Sequence, residues 1–286
     1  MVNLRQFDTF MGHKLQELLN HPAVQAGMAP FLAALIAAEL FNRPRLSGLA
    51  IIAGFAATVY LASDFNFEPL TSSRKIVLSG LIGTLVALLI DILRIRWFGS
   101  LLPVIGGAAA IWTAQRILQQ QESPLVLQWG AACAAYAGIL IWGMDKLLEK
   151  EPIRAAGAAT ALGFGTGAAA LVGASALLGQ FGLALGSAAA AHMMLQMFTK
   201  QALSTGRVFT FPLALIAGLT GCIAVLSAQL PWYALIMLAA IPLAARLVPL
   251  PGSSIRVNSL LLLMLTLTLA AGSVYLAWRS AGDVPF

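Results

Sequence analysis

Apolar residues recur along this chain in blocks about 20 residues long, and short polar segments separate the blocks. A helix of roughly 20 residues is long enough to cross the hydrocarbon core of a bilayer. Charged residues make up only 10% of the sequence, whereas they form about a quarter of a typical soluble domain. The sequence therefore predicts an all-α fold, a polytopic integral membrane bundle of helices in contact with the lipid bilayer.

The blocks predict about ten transmembrane helices, in a single transmembrane domain over residues 23–286. A continuous helix over 155–199 would be far too long to cross a bilayer once, so we expect a turn at 179–182. The loops leave no room for a soluble catalytic domain, and no enzyme motif occurs, so the sequence does not favour an enzyme. The predicted spans are 23–41, 46–63, 75–93, 98–117, 125–144, 155–177, 181–199, 208–228, 231–248 and 257–278.

The segment 1–22 has a different pattern. It lacks the continuous apolar stretch of a cleavable signal peptide. Its apolar residues recur at helical spacing, and charged residues fill the other faces. This pattern predicts an N-terminal amphipathic helix that lies in the membrane interface, with a helix docked on the protein surface as the alternative. The apolar positions are Leu4, Phe7, Met11, Leu15 and Leu18.

The basic residues indicate the orientation of the spans. The loops that follow the odd-numbered spans hold eleven of the 17 basic residues, singly or in small groups, so they signal topology and not a nucleic-acid surface. The positive-inside rule places these loops in the cytoplasm and both termini outside. No Asn-x-Ser/Thr acceptor occurs, which favours a bacterial inner membrane over a eukaryotic secretory one. In that membrane the outside is the periplasm, so both termini are predicted to be periplasmic. The eleven are Arg43, Arg45, Arg94, Arg96, Lys146, Lys150, Arg154, Lys200, Arg207, Arg246 and Arg256.

Two pairs of short segments resemble each other at nearly the same offset. Residues 49–54 read LAIIAG and residues 213–218 read LALIAG, while 112–116 resembles 275–279. These matches suggest a parallel repeat of 23–117 and 181–279, with 125–177 as linker spans. The alternative is chance similarity between apolar helices.

Small residues predict where helices approach closely. Gly163 with Gly167, and Gly182 with Gly186, form two pairs with the small-xxx-small spacing that lets membrane helices pack backbone to backbone. The two cysteines lie in apolar blocks without a CxxC spacing, so we predict neither a metal site nor a redox centre.

Ionisable side chains inside a bilayer are costly, which makes them candidates for function. His192 lies about ten residues into the seventh predicted span, near the expected midplane, and Gln196 shares its helix face at i, i+4. These two residues either line a substrate or proton path or are hydrogen-bonded packing residues. A single histidine supplies too few ligands for a metal, and we predict no cofactor.

Glu39 and Asp91 are further candidates near the cytoplasmic ends of their spans. Arg43 follows Glu39 by four residues and Arg94 follows Asp91 by three, so each carboxylate has a potential local partner. Structural ion pairs at helix ends are one interpretation. A proton or cation relay on the cytoplasmic side is the other.

Two functions remain open from the sequence. The number of spans, the prolines inside spans, the packing glycines and His192 favour a transporter that moves a small, apolar or weakly polar solute through a midplane cavity. The scarcity of unpaired charge at the midplane favours the alternative, a non-catalytic subunit that binds other membrane proteins in a larger complex.

Overall fold

A computed structural model describes residues 14, 16, 17, 19–41, 46–63, 65, 67–94, 97–199, 203, 205–227, 230–251 and 254–282. Within these residues the secondary structure is helical, and no strand occurs, which confirms the predicted all-α class. From residue 24 onward the described part of the chain forms ten longer helices and one 3-10 turn, Trp97–Ser100. The ten helices are α1 (Val24–Leu40), α2 (Leu49–Ala62), α3 (Ser72–Leu93), α4 (Leu102–Leu118), α5 (Ser123–Leu148), α6 (Pro152–Gly173), α7 (Ala176–Thr199), α8 (Arg207–Ser227), α9 (Trp232–Leu247) and α10 (Ile255–Ala281).

Seven of these helices are long and apolar enough to cross a membrane: α3, α4 with the turn before it, α5, α6, α7, α8 and α10. The other three, α1, α2 and α9, are apolar but shorter. The structure therefore supports a multi-pass membrane protein. The predicted count of about ten spans is not confirmed by helix length.

Residues with capping or initiating chemistry begin several helices. The Thr71 hydroxyl accepts a hydrogen bond from the backbone N–H of Arg74 and caps the start of α3, and Ser254 does the same for α10 through Val257. Prolines stand in the first turn of α4, α5 and α6, where the missing N–H costs nothing. Local sequence thus determines where these helices start.

The turn between α6 and α7 lies at residues 174–175, and the prediction of a turn at 179–182 was wrong. Gly179 and Gly182 are inside α7, where they face α6. The glycines were interpreted as a break in the chain, but their small size serves close helix packing instead. Helix α7 is therefore longer than predicted and starts five residues earlier, at Ala176.

The predicted glycine contact is confirmed in α6 and α7. A Cβ atom added to Gly163 would overlap the backbone of Gly186, and one added to Gly182 would overlap the backbone of Gly167. The two small-xxx-small pairs therefore face each other, so the two helix backbones are in direct contact. No larger residue fits at these positions without a shift of a helix.

Helix α8 forms the centre of the bundle. In its most apolar 18-residue window, 94% of the residues are buried, the largest share of any of the seven long helices. Its neighbours include α3, α5, α4 and α7. An apolar helix surrounded by other helices on all sides is shielded from lipid, so its surroundings are set by protein contacts alone.

The helices alternate in direction, as the spans were predicted to do. At one end of the bundle, Arg154 at the start of α6 donates hydrogen bonds to the carbonyl oxygens of Ala245 and Val248 at the end of α9, both at 2.7 Å. At the opposite end, the Gln25 amide of α1 donates to the Leu61 carbonyl oxygen in the last turn of α2 at 2.9 Å. We call these the Arg207 end, where α8 begins, and the Arg74 end.

Two predictions are not tested by this structure. The predicted interfacial helix over 1–22 falls mostly outside the described residues. The proposed repeat of 23–117 and 181–279 also stays a prediction.

We expect Gly182→Ala to lower the free energy of unfolding by about 1–3 kcal/mol, because the new methyl group overpacks a contact between two backbones. Thermal unfolding of the detergent-solubilised protein measures this effect. Gly272→Ala in α10 is the matched control, since a Cβ atom there meets nothing within 4 Å. Alanine also favours a helix over glycine, so the control variant should be as stable as the wild type or more so. Equal stability of the two variants would contradict the close α6–α7 contact.

Candidate functional site

His192 and Gln196 lie one turn apart on α7, and both are completely buried at 0% exposure. Among the described residues, neither imidazole nitrogen of His192 has a hydrogen-bond partner, and neither side-chain polar atom of Gln196 has one. An unpartnered buried polar group costs about 1–3 kcal/mol, and native proteins usually satisfy such groups with water, an ion or a ligand. These four atoms are therefore the strongest indication of a binding site in the interior.

Aromatic packing ties His192 to the central helix. The imidazole ring lies 4.8 Å from the ring of Phe209, centroid to centroid, and the two planes are tilted by 42°. Phe209 is the third residue of α8. The ring contact fixes the position of the imidazole without satisfying either of its nitrogens.

The structure places His192 closer to the Arg207 end than to the middle of the bundle. It is the seventeenth of the 24 residues of α7, roughly 7 Å beyond the midpoint of the helix. The expected midplane position depended on the turn at 179–182, and the earlier start of α7 displaces it. Gln196 is in the last turn of the same helix.

Asp91 is joined to α8 through the backbone. Its carboxylate accepts a hydrogen bond from the Val208 N–H at 3.0 Å, across 117 residues of sequence. The first N–H groups of a helix have no partner within the helix, and a carboxylate there also interacts favourably with the helix dipole. Asp91 therefore stabilises the start of α8, a role that its neighbour Arg94 did not suggest.

Further groups contact the first turn of α8 through Arg207. The Arg207 guanidinium donates to the Asp145 carboxylate of α5 at 2.8 Å, and both side chains are largely buried, at 20% and 17% exposure. A Cβ atom added to Gly99 would overlap the Arg207 guanidinium. Residues from three separate loops and helices thus hold this turn in place. The Arg207–Asp145 pair gives no local signal in the sequence, because the two residues are 62 positions apart.

Glu39 does not join this group in the described part of the chain. Its side chain is exposed at the end of α1. The predicted partner, Arg43, lies outside the described residues. The structure therefore brings His192 and Asp91 to adjacent residues of α8, while it leaves Glu39 at the surface.

A cavity of about 340 Å³ opens at the Arg74 end of the bundle. Polar side chains line one part of it and apolar side chains another. Within its rim, Arg74 donates a hydrogen bond to the Pro69 carbonyl oxygen at 2.8 Å. The polar residues are Ser63, Thr71, Ser73 and Arg74, and the apolar ones include Phe67, Val77, Leu177 and Phe181.

One face of α7 leads from this cavity to His192. Phe181 lines the cavity, and His192 lies eleven positions further along the helix, which turns the side-chain direction by only about 20°. We call this face the α7 seam, and it comprises Phe181, Leu185, Ala188, His192 and Gln196. Between the cavity and His192, the seam packs against α2: Phe55 contacts Phe181 edge to face at 5.3 Å, and Ala188 lies against Gly54.

No protein-family model matches this chain, and a search of curated proteins finds no match either. Its apolar helices indicate a multi-pass membrane protein. Any narrower function is therefore inferred from the α7 seam and its surroundings.

We expect Gln196→Met to raise the free energy of unfolding by about 1–3 kcal/mol, because it removes a buried amide that has no protein partner and keeps a similar shape. Unfolding in detergent measures this change. Gln25→Met is the matched control, since its buried amide is hydrogen-bonded to the Leu61 carbonyl oxygen. The control variant should lose about 1 kcal/mol. A loss of stability in Gln196→Met equal to that of the control would show that the amide is satisfied in the folded protein.

Proposed function

We propose that this protein is a carrier that moves a small, weakly polar solute across the membrane along the α7 seam. The observation that supports this proposal is a pair of buried side chains, His192 and Gln196, that have no hydrogen-bond partner among the described residues and lie at the far end of a seam that begins at an open cavity. Polar groups kept inside a membrane protein without a structural partner mark substrate or ion pathways. The pathway joins two sites that a solute can occupy in turn: the cavity at the Arg74 end, and the position beside His192 and Gln196.

The cavity at the Arg74 end suits the first of these sites. Arg74 and the hydroxyl groups of Thr71 and Ser73 offer hydrogen-bond donors, while Phe67 and Phe181 offer apolar surface. Small-molecule sites combine mostly apolar walls with a few polar groups in this way. A solute with one hydrogen-bond acceptor and an apolar body matches both parts of the lining.

Phe55 and Phe181 close the seam beneath this cavity. Both rings are fully buried, and their edge-to-face contact leaves the His192 side of the seam separated from the cavity. Transport requires these two rings to part. Because the glycine contact joins α6 and α7 closely, we infer that the two helices move together against α2 when the seam opens.

We also propose that all ten helices cross the bilayer of a bacterial inner membrane. The alternating direction of α1 to α10 supports ten crossings, with the shorter helices α1, α2 and α9 reaching less far than the rest. Eleven of the 17 basic residues belong, by their position in the sequence, to the loops at the Arg207 end or to the helix turns that adjoin these loops. The positive-inside rule then places the Arg207 end in the cytoplasm and the Arg74 end with both termini in the periplasm.

Cysteine accessibility tests the carrier proposal without knowledge of the solute. In a background with Cys133 and Cys222 replaced by alanine, we expect Leu185→Cys in the α7 seam to react with a small, membrane-impermeant thiosulfonate in proteoliposomes. Ala184→Cys is the matched control, because it is also fully buried, one residue away and about 100° around the helix. It should stay unreactive.

A static subunit of a larger complex gives a different result. Both cysteines then stay unreactive from either side of the membrane, and the carrier proposal is rejected. Equal reaction of both cysteines would also reject it, because it would indicate general opening of the bundle and not a specific path.

The proposed orientation has its own test at the α6–α7 turn. In the same cysteine-free background, we expect Ser175→Cys to react with an impermeant maleimide in intact cells, because residues 174–175 lie at the Arg74 end. Glu149→Cys, an exposed position between α5 and α6 at the Arg207 end, is the control. It should react only in inverted vesicles. The reverse pattern would place the Arg207 end outside the cell.

A further inference from the structure

A second cavity of about 340 Å³ lies on the flank of the bundle, between α5, α8 and α9. Its lining is almost entirely apolar and includes Trp129, Ile139, Trp232 and Leu235. It shares no residue with the cavity at the Arg74 end or with the α7 seam. Its location makes it a separate site, independent of the proposed transport path.

Among the described residues that line the cavity, one has a hydroxyl group. Tyr136 of α5 lines this cavity and is only 8% exposed, yet its hydroxyl has no hydrogen-bond partner in the described part of the protein. A buried tyrosine usually finds a partner for its O–H. The unpartnered hydroxyl is the observation that points to a ligand, because an apolar void alone would not require one.

Gly221 of α8 determines where the Tyr136 ring lies. A Cβ atom added to Gly221 would come within 3.0 Å of the ring atom Cε1 and 3.2 Å of the hydroxyl oxygen. The glycine therefore allows the phenol to lie directly against α8, deep in the cavity wall. A larger residue there would crowd the ring unless the ring moved.

The cavity opens toward the bilayer. Several of its lining residues keep large exposed fractions on the outside of the bundle, including Trp232 at 58%, Ile236 at 55% and Ile139 at 47%. In a membrane these surfaces face lipid chains. A molecule already dissolved in the bilayer can therefore reach Tyr136 sideways, without passing through water.

We propose that this cavity binds a single apolar chain that carries one hydroxyl or carbonyl group, with the polar group hydrogen-bonded to the Tyr136 hydroxyl. A phenol both donates and accepts hydrogen bonds, so either group satisfies it. The volume is near the lower limit of about 300–1,000 Å³ for small-molecule sites, which suits one chain and excludes a two-chain phospholipid. A charged solute finds no partner in this lining.

Photolabelling tests the proposal on the full-length protein in phosphatidylcholine nanodiscs. The probe is a long-chain primary alcohol with a diazirine in its chain, and mass spectrometry locates the labelled peptides. We expect label on α5 and α9 around the cavity, despite the large excess of phospholipid. Ala132→Phe, which fills the cavity, should remove this label, while Ala131→Phe, its exposed neighbour outside the cavity lining, should not.

Competition then isolates the hydroxyl group. In the wild type, we expect 1-hexadecanol to displace the probe at a concentration about 2- to 12-fold lower than hexadecane, the factor that one hydrogen bond contributes. In Tyr136→Phe, which keeps the ring, the two competitors should be equal. Label spread evenly over the lipid-facing helices would overturn the site. An alcohol preference that survives Tyr136→Phe would overturn the assigned role of the hydroxyl.

Discussion

The direct contact between the backbones of α6 and α7 is the constraint on which the rest of the bundle depends. Inside a bilayer, burying apolar side chains against each other gains little, because lipid is equally apolar, so close packing must supply the stability. Gly163, Gly167, Gly182 and Gly186 provide that packing because none of them places a side chain where the two backbones touch. The resulting pair of helices carries the α7 seam on another face of α7, turned toward α2 and α8. A shift in the α6–α7 contact would therefore move Phe181 and His192 relative to their neighbours.

The buried polar side chains of this tightly packed bundle fall into those that have a hydrogen-bond partner among the described residues and those that have none. Several buried hydroxyls of the described helices donate to a carbonyl one turn earlier, as those of Thr84, Thr160 and Thr266 do, and so cost little. Arg154 is buried yet hydrogen-bonded to the free carbonyls at the end of α9. Among the described residues, His192, Gln196 and Tyr136 have no such partner, and neither have the hydroxyls of Thr166, Thr205 and Thr220. The first three differ from these hydroxyls in their location: His192 and Gln196 lie on the α7 seam, and Tyr136 lines the cavity between α5, α8 and α9.

The candidate site was only partly accessible to sequence reasoning. His192 and Gln196 could be singled out because an i, i+4 pair of polar residues in an apolar span is visible in the sequence. Asp91 could be chosen as an acidic residue in a span. Its hydrogen bond from the Val208 N–H could not be predicted, because nothing in the local sequence indicates which distant helix begins beside Asp91. The cavity at the Arg74 end and the cavity beside Tyr136 were both missed, since each is enclosed by residues from well-separated segments.

By itself, the sequence determined the helical class, the approximate limits of the helices, their alternating direction and the use of glycine at a close contact. These features depend on hydropathy, charge and residue size along short stretches of chain, and a bilayer imposes helix formation on any long apolar segment. Only the tertiary structure decided that α8 is central, that the chain turns at 174–175, and that Phe181 and His192 share a face of one helix. The physical reason is that apolar helices look alike in sequence, whereas their neighbours are selected by shape, and shape appears only when the helices are packed together.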